Sequence, residues 1–145
     1  MSKGRILLVD NDTAFCTTRK EFLEAEGYQV LTASNPGDAE VMLKDTWVHL
    51  AITNLRLLND TDDRDISGLT LIRAADPVIP KIVLTAYPTW EAVRKALGPA
   101  VGGLPPAVDF VAKKDGVEAM LGAVERAFDK HVKINYQLDI QFRSS

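Results

Sequence analysis

Disulfide frameworks and cysteine metal clusters are excluded at the outset, because the chain contains a single cysteine, Cys16. That residue reads as a small apolar side chain buried on a helix. Histidine is nearly as scarce. His49 falls within an expected strand and His131 at the end of an expected helix, where a cation suits the helix dipole, and neither has a partner at metal-ligand spacing. No apolar run is long enough to cross a bilayer, and the opening MSKGRILLVD enters a strand at once without the pattern of a signal peptide. Both features point to the cytosol and away from a membrane. Positive charge is not in excess: the net charge is −3 and the isoelectric point is about 5.4. With no basic stripe along the chain, nucleic-acid binding by this segment is not expected. No glycine-rich phosphate loop follows the first apolar run, which argues against a nucleotide-binding domain. Trp47 and Trp90 lie at element boundaries and read as packing residues rather than stacking platforms.

What is present fits one domain: 145 residues, 46 % of them hydrophobic, suffice for a single core. Apolar runs alternate with segments of helical period. RILLV (5–9), YQVLTA (28–33), VHLAIT (48–53), KIVLT (81–85) and VDFVA (108–112) read as strands. Between them, residues 13–26 place Phe15, Phe22 and Leu23 on one helical face and stop at Gly27. Asn35 caps a helix that starts at Pro36 and faces Ala39, Met42 and Leu43 to a core. Ser67 is expected to cap a short helix ending before Pro77. Thr89 opens another, bearing Val93, Ala96 and Leu97 and closed by Gly98. Asp115 and Glu118 have the spacing of a capping box, ahead of the stripe Val117, Met120, Leu121, Val124 and Phe128. GPAVGGLPPA (98–107) is a loop within the domain, since a strand follows it directly.

Five near-continuous apolar strands, each followed by a helix, indicate an α/β fold: a doubly wound five-stranded parallel sheet with helices on both faces. Ligands in such sheets sit outside the carboxyl ends of the strands. The candidate site residues are therefore Asp10, Asn11 and Asp12 after the first strand, Asn54 after the third, Thr85 after the fourth and Lys113 after the fifth. Beyond His131 the pattern changes. Val132, Ile134, Tyr136, Leu138, Ile140 and Phe142 alternate with polar residues, as in a one-sided strand. The reading is a domain over 1–130 and a C-terminal strand extension over 131–145. Such a strand adds to the sheet edge, pairs with another copy to give a homodimer, or begins a following domain truncated here, and the last two are favoured.

Taken in order, the stretches ILLVDND (6–12), TNLRL (53–57), LTAY (84–87) and DFVAKK (109–114) resemble the response-regulator receiver domain over about residues 4–130. The resemblance implies the flavodoxin-like strand order 2-1-3-4-5 and a role in two-component signalling or a phosphorelay. It also implies a site in which a middle-strand Asp is phosphorylated, an acidic pair helps hold Mg²⁺, a lysine neutralises the phosphoryl group, and a hydroxyl with an aromatic residue reports the change. Carried across, the acceptor position is Asn54, the pair is Asp10 and Asn11, the lysine is Lys113, the hydroxyl is Thr85 and the switch aromatic is Phe110.

Two of these positions depart from the pattern, and their chemistry matters. A carboxylate oxygen attacks phosphorus, whereas a carboxamide oxygen is neutral and a poor nucleophile, so Asn54 is not expected to accept a phosphoryl group. Mg²⁺ prefers anionic oxygens, and the three expected carboxylates are reduced to Asp10, with Asp12 in reserve. Metal binding at Asp10 is expected to be weak or absent, and no other cofactor is indicated. Asn54 is expected to hydrogen-bond with Lys113 or Thr85 instead. The long loop LLNDTDDRDIS (57–67), carrying Asp60, Asp62, Asp63 and Asp65, reads as a solvated loop, with surrogate metal ligation or an acidic lid facing a partner as its functional alternatives.

The function expected is that of a pseudo-receiver: a non-enzymatic protein–protein interaction module, acting on a protein partner or an attached effector domain without Asp phosphorylation. A different class stays open. VDNDTA (9–14) nearly matches the signature of haloacid-dehalogenase-type phosphohydrolases, in which Asp10 would be the nucleophile and Asp12 the general acid, helped by Thr85 and Lys113. Against it stand Ala14 at the position of a Thr or Val, the lack of an acidic pair after a strand beyond Lys113, and the short chain.

Overall fold

Ile6, Leu7, Leu8 and Val9 are each at most 1 % exposed, so successive side chains on opposite faces of the first strand are all covered. Burial on both faces is what a central parallel strand between two helical layers requires. In the computed structural model, which describes residues 2–98 and 105–132, five strands form one sheet: β1 (Arg5–Val9), β2 (Gln29–Ala33), β3 (Leu50–Thr53), β4 (Lys81–Thr85) and β5 (Asp109–Ala112). They pair in parallel in the order β2-β1-β3-β4-β5, the arrangement expected from the sequence.

The helices are α1 (Thr13–Ala25), α2 (Pro36–Asp45), α3 (Ser67–Ala74), α4 (Trp90–Leu97) and α5 (Gly116–Ala127). Cys16 and Leu23 of α1 and Met120 and Val124 of α5 pack with Ile6, Leu8, Ile52 and Ile82 on one face. Ala39 of α2 and Leu71 of α3 cover Leu7, Val9 and Ala51 on the other, and α4 continues that layer through Ala92 and Ala96 against Val83. The caps of two helices are those expected. The Asn35 side chain accepts from the Asp38 amide, and Thr89 from the Ala92 amide.

Several local expectations are corrected. Ser67 is the first residue of α3 rather than its cap: its Oγ accepts from the Leu57 amide at 3.0 Å and donates to Asp65 Oδ1 at 2.6 Å, so the loop claims it. The capping box at Asp115 does not form, because Lys113–Asp115 make a 3-10 turn and Asp115 is in the right-handed helical region, from which its carboxylate makes no cap bond. Leu97 is 40 % exposed and Trp90 76 %, so neither packs as expected. α4 has only eight residues and buries a face of small alanines, which turns the large side chains outward. After α5, Phe128–Val132 continue the helix as a π-helical turn and Val132 is buried in the α1/α5 layer, so the alternating segment does not start a strand at Val132. The rest of that segment lies outside the described residues.

Lys81 begins β4 with only 4 % of its surface exposed; burial pushes its ammonium down to about 8, and Nζ donates to the Asp76 carbonyl.

Candidate functional site

Parallel register brings the strand ends to one level. Val9 pairs with Thr53 and Thr85 with Ala112, so the next residues, Asp10, Asn54 and Lys113, emerge together at the carboxyl edge of the sheet. The backbone fixes them there: the Asn54 amide donates to the Val9 carbonyl at 2.9 Å and the Asp10 amide to the Ala33 carbonyl at 3.1 Å.

Asp10 is 1 % exposed, and both of its oxygens are engaged. Oδ2 lies 2.7 Å from Lys113 Nζ, and Oδ1 accepts from the Asp12 amide at 2.9 Å. Burial raises the Asp10 carboxyl above its ordinary range, with the Lys113 contact and the Asp12 amide acting in the opposite direction. Lys113 Nζ also sits 4.1 Å from the centre of the Phe15 ring, a second favourable contact for a largely buried cation. Asp12 caps α1: its Oδ1 accepts from the Phe15 amide at 3.0 Å.

Asn54 is 4 % exposed and takes partners other than Lys113 or Thr85. Its Nδ2 donates to the Arg56 carbonyl at 2.7 Å and to Asn11 Oδ1 at 3.2 Å. Asn11 in turn donates from Nδ2 to Asp60 Oδ1 at 3.0 Å. The carboxamide has a donor to place, and neither an ammonium nor a hydroxyl already accepting from a backbone amide draws it. The Thr85 hydroxyl, fully buried, accepts from the Tyr87 amide at 3.1 Å. Phe110 is half-buried and packs against the cluster that holds Leu55, Leu69 and Val83.

Two residues not singled out from the sequence close this arrangement. Arg56, 8 % exposed, donates from Nη1 to the Asp60 carbonyl at 2.7 Å, and its guanidinium lies 3.9 Å from the centre of the Tyr87 ring. A chain of contacts thus runs from Asn54 through Asn11 and Asp60 to Arg56 and Tyr87, and through the Tyr87 amide to Thr85. The lone cation in the apolar run NLRLL (54–58) was the available signal for Arg56. Asn54 Oδ1 and Arg56 Nε are buried without a hydrogen-bond partner among the described residues.

The acidic loop is largely occupied with its own structure. Asp65 accepts from the Leu58, Asn59 and Ser67 amides, Asp62 from Arg64, and Asp60 from Asn11. Among the described residues, no group of three or more His, Cys, Asp or Glu side chains could hold a metal ion. The donor set at the strand ends fits Mg²⁺ poorly on chemical grounds. Its one carboxylate is held by an ammonium, and the side chains of Asn11 and Asn54 are neutral and bonded to each other.

Removing the Lys113 charge should expose the cost of the buried Asp10. Lys113→Met is expected to lose about 3 kcal/mol at pH 7.5, because it strands a buried carboxylate. Asp10 is already raised in the folded state and rises further without the ammonium, so the penalty is complete above its folded-state pKa and fades as the pH falls through it. Urea unfolding at pH 7.5 and pH 5 should therefore show the gap from the unaltered chain narrowing in acid. A gap that is constant or widens in acid would remove Asp10 as the cause.

Comparison with known proteins supplies the context. Residues 6–125 match the family described as the response regulator receiver domain. The chain is 35 % identical over 111 residues to the alginate biosynthesis transcriptional regulatory protein AlgB of Pseudomonas aeruginosa, covering 77 % of this chain and 23 % of that protein. It is 27 % identical over 129 residues to the transcriptional regulatory protein ZraR of Salmonella typhimurium, covering 88 % of this chain and 27 % of that protein. It therefore spans about a quarter of the length of these relatives. Among solved structures, a CheY-like response regulator receiver domain protein from Methanospirillum hungatei superposes with a TM-score of 0.73 at 28 % identity, covering 89 % of this chain and 96 % of that one. Among the described residues no helix is long and apolar enough to cross a membrane.

Proposed function

This chain belongs to the response regulator receiver domain family, and we propose that within that family it works as a signalling interaction module whose pocket takes no phosphoryl group. One observation carries this reading: the side chain at the end of the middle strand is the neutral carboxamide of Asn54, tied by its Nδ2 to the Arg56 carbonyl and Asn11 Oδ1. The acceptor position lacks an anionic oxygen, and its neighbour Asn11, where the second acid of the pair would stand, is its hydrogen-bond partner. Asp10, the one acid retained, is neutralised by Lys113. The pocket holds a fixed conformation with the contacts it has.

Thr85 and Phe110 then act as structural members of this arrangement rather than as reporters of phosphorylation. The recipient of the signal is a protein partner or an attached effector domain. The relatives are transcriptional regulators several times longer than this chain, which supports an attached effector. The net charge of −3 supports leaving nucleic-acid contact to other segments. The phosphohydrolase alternative gains nothing from the geometry, since Asp12, its general acid, is the cap of α1.

The experiment is a calorimetric Mg²⁺ titration of three forms: the chain as it is, Asn54→Asp, and Asn54→Asp with Asn11→Asp. The unaltered chain should show no saturable binding, the single variant little, and the double variant at least about a tenfold gain over the single, because each added carboxylate supplies a charged oxygen. A single variant that binds as tightly as the double would show that Asn11 is not part of the loss.

A further inference from the structure

A second crevice lies on the other side of Asp10. α1 packs on one face of the sheet and α2 on the opposite face. The segments leaving the adjacent strands β1 and β2 therefore part in opposite directions, and diverging loops open a space above strand ends. Here that space is a cleft of about 400 Å³ whose floor includes Asp10, Cys16 and Ala33.

Its walls are hydroxylic. Thr13, Thr17 and Lys20 follow one another at helical spacing along one side of α1, and Thr32 and Ser34 face them from the end of β2. The Thr17 hydroxyl donates back to the Thr13 carbonyl. The hydroxyls of Thr13, Thr32 and Ser34 and the ammonium of Lys20 make no hydrogen bond or ion pair among the described residues. Hydrogen-bonding groups with unused capacity thus converge on one cleft. The charges are arranged unevenly. Asp10 is answered by Lys113, so the charges of the cleft without an ion-pair partner among the described residues are the cation Lys20 and the carboxylate Asp38. Asp38 at the rim is a carboxylate that accepts from Asn35 Nδ2 through one oxygen, leaving the other for a hydroxyl donor.

We propose that this crevice binds a small polyhydroxylated molecule carrying one anionic group, by chemical class a sugar monophosphate. Lys20 takes the anionic end, and the Thr and Ser hydroxyls with Asp38 take the sugar hydroxyls. The assignment does not depend on the state of Asn54, which does not line the cleft.

The test is a titration of the full 145-residue chain with ribose 5-phosphate and, separately, glucose 6-phosphate, followed by amide NMR shifts. At least one should give saturable shifts centred on Thr13, Thr17, Thr32 and Ser34, with inorganic phosphate and free ribose at least tenfold weaker. Lys20→Gln should weaken binding at least tenfold and Ser34→Ala measurably, whereas Lys114→Gln, outside the cleft, should leave it unchanged. None of the three variants alters a buried residue, so dispersed spectra are expected and are checked first. Absence of saturation with both sugar phosphates would overturn the proposal. So would shifts centred elsewhere, phosphate binding as tightly as the sugar phosphate, or undiminished binding by Lys20→Gln. Asn54→Asp should bind like the unaltered chain, so failure of the phosphorylation-independent reading and failure of this one are told apart.

Discussion

Incubated with acetyl phosphate and Mg²⁺, the chain is expected to keep its unmodified mass, while the variant carrying both Asn54→Asp and Asn11→Asp gains one phosphoryl group. The contrast rests on the nucleophile. Forming an acyl phosphate needs an electron-rich carboxylate oxygen aligned with the phosphorus and the leaving oxygen, and a carboxamide oxygen provides neither the charge nor the basicity. The other acids nearby are poorly suited to substitute. Asp10 has one oxygen against Lys113 and the other under the Asp12 amide. Asp12 caps its helix, and Asp60 accepts from Asn11. Positive charge to receive a phosphoryl group exists at Lys113, so the missing element is the attacking atom rather than the electrostatic setting. Intact-mass spectrometry followed by peptide mapping decides the matter. A stable phosphoryl group on Asp10 or Asp12 of the unaltered chain would end the phosphorylation-independent reading, and an unmodified double variant would show that more than the two amides separates this pocket from an active one.

The central strands β1, β3 and β4 were legible in the sequence because they are buried on both faces, as in the run KIVLT, whereas the edge strands β2 and β5 are only partly covered and were read from their apolar residues between turn signals. Strand order came from the resemblance, and the shared level of Asp10, Asn54 and Lys113 follows once parallel strands are put in that order. Caps were legible where the capping side chain has no competitor, as at Asn35 and Thr89. They were misread at Ser67, which the preceding loop engages through Asp65 and the Leu57 amide, and at Asp115, whose backbone is decided by the turn after β5. The partners of Asn54 were not legible for a similar reason. Its contacts to Asn11 and the Arg56 carbonyl depend on how the loop after β3 folds back, and residue spacing does not encode that path. Arg56 and Tyr87 belong to separate loops whose meeting only the fold determines. Trp90 illustrates the limit of composition, since a large aromatic residue implies packing only if its helix turns that face inward, and α4 turns inward its alanines.

Gly68→Ala is expected to be the most damaging single methyl group in this part of the molecule. A Cβ at Gly68 would lie 1.9 Å from the Asn54 carbonyl oxygen and 3.0 Å from that of Leu55, and both neighbours are backbone, so no side-chain rotation relieves the overlap. The close approach exists because the Gly68 amide donates to the Leu55 carbonyl at 2.9 Å, docking the first turn of α3 against the end of β3. The helix must withdraw or the strand end must bend. Either movement disturbs burial of Leu69, which is fully buried in the α3/α4 layer, and displaces the backbone that carries Asn54. Overpacking against rigid surroundings costs about 3 kcal/mol, which for a domain of this size lowers the midpoint of thermal unfolding by roughly 10 °C. Thr70→Ala, on the exposed side of the same helix, separates a general loss of helix stability from this contact and should change the midpoint little. A Gly68→Ala variant that unfolds at the temperature of the unaltered chain would mean that α3 does not rest on the strand end, and the placement of Asn54 would lose its support. If the variant is destabilised as expected, the glycine is required by the approach of two backbones, and Asn54 owes its fixed position to packing as well as to its hydrogen bonds.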